Sequence, residues 1–373
     1  MNVKIDSFKH LVKRLAGDGA TSYAFRTALI SRLREIIPFD AACFTAVDPQ
    51  TLLSTGAVTE EGVEAIHQRL FEYEYVQADF NTYTQLVESD ISVATLSGAT
   101  DGQLERSARY RHVLQPAGFQ DELRAALVYD KACWGYLTLF RKQGSALFTA
   151  LDRDFVSELV PIIAYQLRAI HLSLPAEDKV WVEEGPGIVV LSDQLDIISH
   201  NDAAVYWLHL LRQWEHVTSH VIPRPIQAVC TRALADSAAS AKGAESAGHS
   251  SLAKVCLRIP DGHYVTIQAS RLNGPAETTQ LAVWISAASP NDMLPYLSEA
   301  YGLSEREKQI LACVVKGLST KQLAESLHIS AYTVQDHLKS IFIKTGVTSR
   351  RELLWRLFSR FHVYDTPDTT HLK

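Results

Sequence analysis

The chain has 373 residues, 47% hydrophobic and 21% charged, and its 36 Lys and Arg against 42 Asp and Glu give a net charge of −6. Such a composition supplies ordinary buried cores, and the length predicts two or three domains and excludes a wholly disordered chain. No apolar run reaches the roughly 18 to 20 residues of a membrane span, and the opening MNVKIDSFKHLVKRLAGDG lacks the apolar middle of a secretory signal, so the expected location is cytoplasmic with no membrane partner.

In chain order, residues 5–37 read as two helices, AACFTAV and LLSTGAV as a pair of strands, and 61–76 as a helix. A polar stretch comes next, then a helix at 103–115, a hairpin from DELRAALVYD to ACWGYLTLFR, and a closing helix at 152–172. Helices flanking a central antiparallel sheet resemble the GAF fold of small-molecule sensors. After SLPAEDKVWVEEGPG a second unit begins. GIVVLSDQLDIISHNDAA gives two short strands and a helix, SLAKVCLRIPDGHYVTIQASRL two strands about a P-D-G turn, and TQLAVWIS a third. Two strands, helices and three further strands resemble the PAS topology. The small, polar insert ADSAASAKGAESAGHS reads as a loop, and SAASPNDMLP as a linker whose prolines and small residues let the C-terminal segment change its docking.

Both resemblances imply a cavity between sheet and helices for a small effector. In the first unit Tyr110, Arg111, Phe119, Arg124 and Trp134 are the candidate effector-binding residues, an aromatic wall with a cationic anchor; the bland alternative is core aromatics and solvated arginines. His216 and His220, spaced as one helical turn, have no evident third ligand, so no metal is expected. The five cysteines show no C-x-x-C pair or zinc spacing and read as reduced, mostly buried residues. There is no Gly-rich phosphate loop, H-E-x-x-H or G-x-S-x-G, so neither catalytic residues nor a cofactor is expected, and the chain is not expected to be an enzyme.

The last segment carries the opposite charge to its host. Residues 302–361 hold ten Lys or Arg and five Asp or Glu, a net +5, which leaves −11 for the rest. A small basic module on an acidic body points to a polyanion partner. Ser304 with Glu307, Ser319 with Gln322 and Ser349 with Glu352 form three capping boxes, and Ser330 supplies a fourth N-cap. Helices are predicted at 304–316, 319–327, 330–345 and 349–360, the second and third joined by the tight turn of a helix-turn-helix. On the third, Val334, Leu338, Ile341 and Phe342 form the buried stripe. Tyr332, Asp336 and Lys339 face outward, with Gln335 at their edge and Thr333, His337 and Ser340 flanking.

The stretch LSEREKQILACVVKGLSTKQLAESLHISAYTVQDHLKSIFIKTGVTSRREL resembles the LuxR/FixJ/NarL-type DNA-binding domain, through L-S-x-R-E, G-L-S-x-K, I-S-x-x-T-V-x-x-H and K-x-G-V-x-S-R. The resemblance implies backbone contacts from Thr320 and Lys321, further phosphate contacts from Lys344 and Arg350, and base contacts from Gln335, Asp336 and Lys339, with Thr333 and His337 beside them. Lys and Arg neutralise phosphates, Gln pairs with adenine, and a carboxylate accepts from cytosine N4. Asp336 departs from the family, where that position is commonly apolar or basic. A phosphorylation receiver does not fit the first three hundred residues, which lack regular βα alternation.

The predicted fold class is α+β: GAF-like residues 1–173 and PAS-like residues 183–287, both antiparallel-sheet sensor domains, then an all-α four-helix domain at 298–363. The expected partners are double-stranded DNA, a small-molecule effector and a second copy of the chain, with RNA polymerase a further candidate. The leading function is a DNA-binding transcription regulator under small-molecule control; the alternative is a ligand-independent regulator whose N-terminal region dimerises or recruits protein.

Overall fold

The computed structural model describes residues 2–17, 20–77, 79–172, 185–241, 253–259, 263–272 and 279–358. The described residues of Met1–His171, Gly185–Leu257 and Thr266–Ser286 form one compact unit, and those of Arg258–Val265 and Ala287–Lys373, with Leu172, form another. The fold is mixed α+β, with two five-stranded sheets before a C-terminal helical cluster.

The first sheet comes after helices α1 (Asn2–Leu15) and α2 (Ser22–Arg34). Strands β1 (Ala41–Val47) and β2 (Ser54–Thr59) lead to α3 (His67–Tyr75), α4 (Tyr83–Glu88), β3 (Val93–Thr95) and α5 (Leu96–Ala99). Long strands β4 (Phe119–Tyr129) and β5 (Ala132–Lys142) precede α6 (Ala150–Leu172). The order is β2-β1-β5-β4-β3, antiparallel throughout. Asp130 and Lys131, with φ of 50° and 63°, make the two-residue hairpin between β4 and β5, the left-handed pair that matches strand twist.

Register gives the two faces of this sheet different chemistry. Successive strand residues point to opposite sides. Leu123, Ala125 and Leu127 of β4, Leu137 and Leu139 of β5, and Ala42 and Phe44 of β1 make an apolar face, fully buried. On that face a Cβ at Gly135 would lie 2.8 Å from Leu167 of α6. The opposite face carries Glu122 and Arg124, Tyr136 and Thr138, Cys43 and Thr45, and Thr59, and Arg124, Thr138 and Cys43 lie in one row across three strands. Apart from half-buried Thr59 it is nonetheless buried, beneath α3 and α4.

Several local expectations are corrected. The stretch 61–76 begins with a 3-10 turn at Glu64–Ile66 before α3, and 103–115 is a 3-10 turn at Leu104–Arg106 followed by a π-type turn at Tyr110–Leu114. The polar stretch between them contains α4, β3 and α5, held by side-chain caps from Thr82 and Thr95.

The second sheet comprises β6 (Gly187–Ser192), β7 (Ile197–His200), then after α7 (Asp202–Glu215) and α8 (Arg224–Ala241), β8 (Lys254–Arg258), β9 (Tyr264–Leu272) and β10 (Gln280–Ala287). Its order is β7-β6-β10-β9-β8. Val189, Leu191, Leu281, Val283 and Ile285 are its buried residues on β6 and β10, while Trp207 of α7 packs so close to β6 that a Cβ at Gly187 would lie 2.7 Å from its ring. Helix α8 runs through Ala241, into the insert expected to be a loop; residues 242–250 and the P-D-G turn at 260–262 lie outside the described residues. His216 and His220 do not share a helix, because His216 ends α7 in the left-handed conformation, its ring 4.0 Å from that of Tyr23 and tilted 39° to it. Among the described residues no three His, Cys, Asp or Glu come together as a metal site, and no helix is long and apolar enough to cross a membrane.

Helices α7 and α8 also pack on the edge strand β2, through charges buried in that contact. Glu215 accepts N–H groups from Ala57 at 3.4 Å and Arg224 at 2.8 Å, and Arg224 donates to Thr59 at 2.9 Å and to Glu64. Arg26, fully buried, donates to the carbonyls of Phe44 and Gly56 at 2.8 Å each, and burial lowers its pKa to about 10. Asp48 accepts the Cys256 N–H at 2.8 Å.

The other unit contains α9 (Pro290–Ala300), α10 (Glu305–Val315), α11 (Thr320–Ser326), α12 (Ala331–Thr345) and α13 (Arg350–Phe358). Helix α9 corrects the expected linker. Ser289 and Asp292 cap its first turn reciprocally, Pro290 fits the first helical position where no N–H is required, and Met293, Tyr296 and Leu297 are buried. The four later helices fall where the sequence places them, with the capping boxes at Ser304 and Ser319 and the N-cap at Ser330 formed.

Candidate nucleic-acid interface and sensor face

Helix α12 turns Val334, Leu338, Ile341 and Thr345 inward, with Phe342 half-buried. Tyr332, Gln335, Asp336 and Lys339 are exposed, and Thr333, His337 and Ser340 are half-buried beside them. The turn from α11 is tight because His328 takes a left-handed φ of 52° and Ile329 donates back to Ala324. Thr333 is engaged locally: its N–H and hydroxyl both meet the capping hydroxyl of Ser330. At the start of α11, Lys321 is exposed and Thr320 half-buried.

Two of the expected phosphate contacts already hold protein acceptors. Lys344 donates to Glu307 at 2.6 Å and to the Gly302 carbonyl at 3.1 Å, tying the end of α12 to the start of α10. Arg350 donates to the carbonyls of Leu318 and Val314, which terminate α10 and its turn. Glu307 is a hub, where the sequence pattern shows only a cap residue. It is buried, caps Ser304, and accepts from Ser340 at 2.6 Å as well as from Lys344. Burial alone would raise its pKa, but hydrogen bonds from Lys344, Ser340 and Ser304 outweigh that and bring it to about 2. The arrangement is a three-helix core that holds one helix with a hydrogen-bonding outer face, sized for the major groove.

The five effector candidates do not converge. Tyr110 and Phe119 join one apolar cluster with Phe140, while Arg111 is exposed and donates to the Glu105 carbonyl. Trp134 packs 5.7 Å from His171 of α6, on the other side of the sheet from Arg124; a register shift at Leu127/Val128 displaces its position. Arg124 lies on the same side of the sheet as the Phe119 cluster, which includes Cys43, and has partners the sequence did not indicate. It donates to Glu74 and to the Asn81 carbonyl, both at 2.7 Å. Its neighbour Arg109 donates to Glu122 through Nε at 3.1 Å and to the Phe80 carbonyl at 2.9 Å. The alternation in DELRAALVYD places Glu122 and Arg124 on one face and was the available signal.

The C-terminal geometry defines a helix-turn-helix DNA-binding module. Residues 302–356 match the family of bacterial regulatory proteins, luxR family, and this segment is a LuxR-type domain. Over 54 residues it is 44% identical to the monoamine regulon transcriptional regulator of Klebsiella aerogenes, covering 14% of this chain and 24% of that protein. Over 70 residues it is 29% identical to the HTH-type transcriptional regulator MalT of Yersinia pestis (strain Pestoides F), covering 19% of this chain and 8% of that one. The matches thus span a quarter or less of these relatives' length. Among solved structures, the Vibrio cholerae VqmA dimer is similar at 15% identity and a TM-score of 0.20, over 47% of this chain and 83% of that one. Bacteriophytochrome RpBphP3 of R. palustris is similar at 13% identity and 0.29, over 77% and 63%. Scores this low do not establish a shared overall fold.

Proposed function

We propose that the chain is a sequence-specific, DNA-binding transcription regulator that places α12 in the major groove. The observation that carries this reading is the exposed outer face of α12, Gln335, Asp336 and Lys339, on a LuxR-type domain. Gln335, Asp336 and Lys339 read base edges; Thr320 and Lys321 contact phosphates; Thr333 and His337 line the same face. Lys344 and Arg350 reach phosphate as part of their ties within the domain. The regulator acts as a homodimer on successive grooves. Exposed Trp355 beside half-buried Leu354 on α13 supports a second contact there.

The body, with a GAF-like domain over 1–173 and a PAS-like domain over 183–287, supplies control by a small molecule, with no chemistry of its own, in the cytoplasm. Residues 298–363 form the DNA-binding domain. A ligand controls the protein only through different affinities for two conformations. The packing of the polar face by the chain's own side chains favours a second reading, a ligand-independent body that dimerises or recruits a partner such as RNA polymerase.

Salt-dependent binding of the full chain to fragments from around its own gene, beside Lys339→Ala, tests the DNA reading. Preference for one fragment that Lys339→Ala loses supports it. Equal binding of both proteins to all fragments, over the same salt range, removes it.

A further inference from the structure

The polar face of the first sheet contains a slot built for an aromatic ring, and the chain fills it itself. Tyr83, the first residue of α4, lies 3.7 Å from Tyr136 with the rings 7° from parallel, and the Arg124 guanidinium stands 3.9 Å from the same ring. Two groups this close to one ring centre must occupy its opposite faces, so Tyr83 is sandwiched. Its hydroxyl is hydrogen-bonded to Thr138. Ring stacking below, a cation above and a hydroxyl partner at the edge are the elements of aromatic recognition.

The slot is not saturated by this arrangement. Arg124 Nε and Arg109 Nη1 are buried without a hydrogen-bond acceptor, on side chains 7% and 1% exposed. Buried N–H groups without acceptors are rare in native proteins. Each arginine already holds one carboxylate, Glu74 or Glu122, so no net positive charge is left for an anion. What remains is demand for a neutral acceptor. The element bearing Tyr83 is only six residues long and is entered through Asn81 at a left-handed φ of 53°. So short a helix has little stability of its own.

We propose that this slot binds a small planar phenol carrying a neutral carbonyl acceptor, and that Tyr83 is its built-in competitor, displaced when the ligand enters. The phenol takes the place between Arg124 and Tyr136 with its hydroxyl on Thr138, and the carbonyl at its other end accepts from the free Arg109 Nη1–H. This rests on the reading of the body as a small-molecule sensor and names its ligand class. Because the binding-competent state is only the fraction with α4 displaced, apparent affinity is reduced by that fraction.

The test is calorimetric titration of the full chain with 4-hydroxybenzamide, with cyclohexanecarboxamide as the non-aromatic control. Tyr83→Ala is expected to bind the phenol at least about tenfold more tightly than the unmodified chain. Adding Thr138→Val abolishes that gain. Absence of binding to a Tyr83→Ala protein whose circular dichroism and unfolding midpoint show it folded overturns the proposal, as does equally tight binding of the control. If Tyr83→Ala does not fold, Tyr83→Phe decides: loss of the Thr138 anchor should tighten binding about threefold, and an unchanged affinity overturns the proposal. Operator affinity measured with and without the probe separates the two readings. Binding without any change in DNA affinity supports the slot and removes control through it; no binding removes the slot and leaves the DNA-binding reading intact.

Discussion

Glu215, the last residue of α7, accepts the backbone N–H of Ala57, inside edge strand β2, at 3.4 Å. An edge strand presents unpaired backbone groups, and here a carboxylate from the second sheet's helices takes one of them. Arg26 and Arg224 flank that carboxylate, and all three side chains are buried. Removing one member of a buried charge cluster leaves the others uncompensated, which costs about 3 to 5 kcal/mol. Glu215→Ala is therefore expected to lower the stability of the full chain by that much, measured by urea unfolding. Glu215→Gln keeps one acceptor and should cost about 1 to 3 kcal/mol. A Glu215→Ala protein of unchanged midpoint would show that the cluster does not hold β2 to the helices.

Gly56 lies in the same contact with a φ of 143°, and a Cβ there would stand 3.2 Å from the Trp214 ring. Both the backbone conformation and the close approach need glycine. Gly56→Ala is expected to cost about 2 kcal/mol or more. Urea unfolding of the full chain should then show a lower midpoint than the unmodified chain; an unchanged midpoint counts against the docking of Trp214 on β2.

Legibility in the sequence tracks the range of the interaction. The helix-turn-helix could be read because caps such as Ser304/Glu307 act over three residues and the buried stripe of α12 repeats every turn. The β4–β5 hairpin was visible because its strands are long and adjacent. Glu74, Asn81, Arg109, Glu122 and Arg124 meet only after folding, and Arg124 and Glu74 are 50 positions apart. The short elements α4, β3 and α5, of three to six residues, carry too few turns or alternations to show a period. Helix α9 is hidden because its prolines signal a linker more loudly than the Ser289/Asp292 box signals a helix. Trp134 falls on the unexpected face because a register shift is not written in the alternation.

In the DNA-binding unit, Lys344 and Glu307 set a pH dependence. Glu307 has its folded pKa brought down to about 2 from 4.5 by hydrogen bonds that overcome burial. Its stabilisation is thus present above about pH 4.5 and is lost as pH falls toward 2. A shift of this size corresponds to at most about 3 kcal/mol, and Lys344, 35% exposed, is partly screened, so about 1 to 2 kcal/mol is expected. Hydrogen exchange of α10 and α12, compared at matched pH between the unmodified chain and Glu307→Gln, should show that difference near neutrality and little of it near pH 2. A difference that stays constant across this range would mean that ionised Glu307 is not the stabilising species.

Asp336 is the exposed acid on an otherwise neutral and basic outer face of α12, beside Gln335 and one turn from Lys339. Facing phosphates, it opposes binding to any duplex; facing a cytosine N4, it contributes about 1 to 3 kcal/mol to one base pair of the operator. These effects separate in one variant. Asp336→Ala should bind random-sequence DNA more tightly at low salt, because a repelling charge is gone. It should also lose about tenfold in the ratio of operator to random-sequence affinity, the equivalent of about 1.4 kcal/mol at a single C·G pair. Anisotropy titrations against both duplexes at two salt concentrations measure the pair of changes. If both affinities rise in parallel, Asp336 acts only as a repelling charge, and readout rests on Gln335 and Lys339.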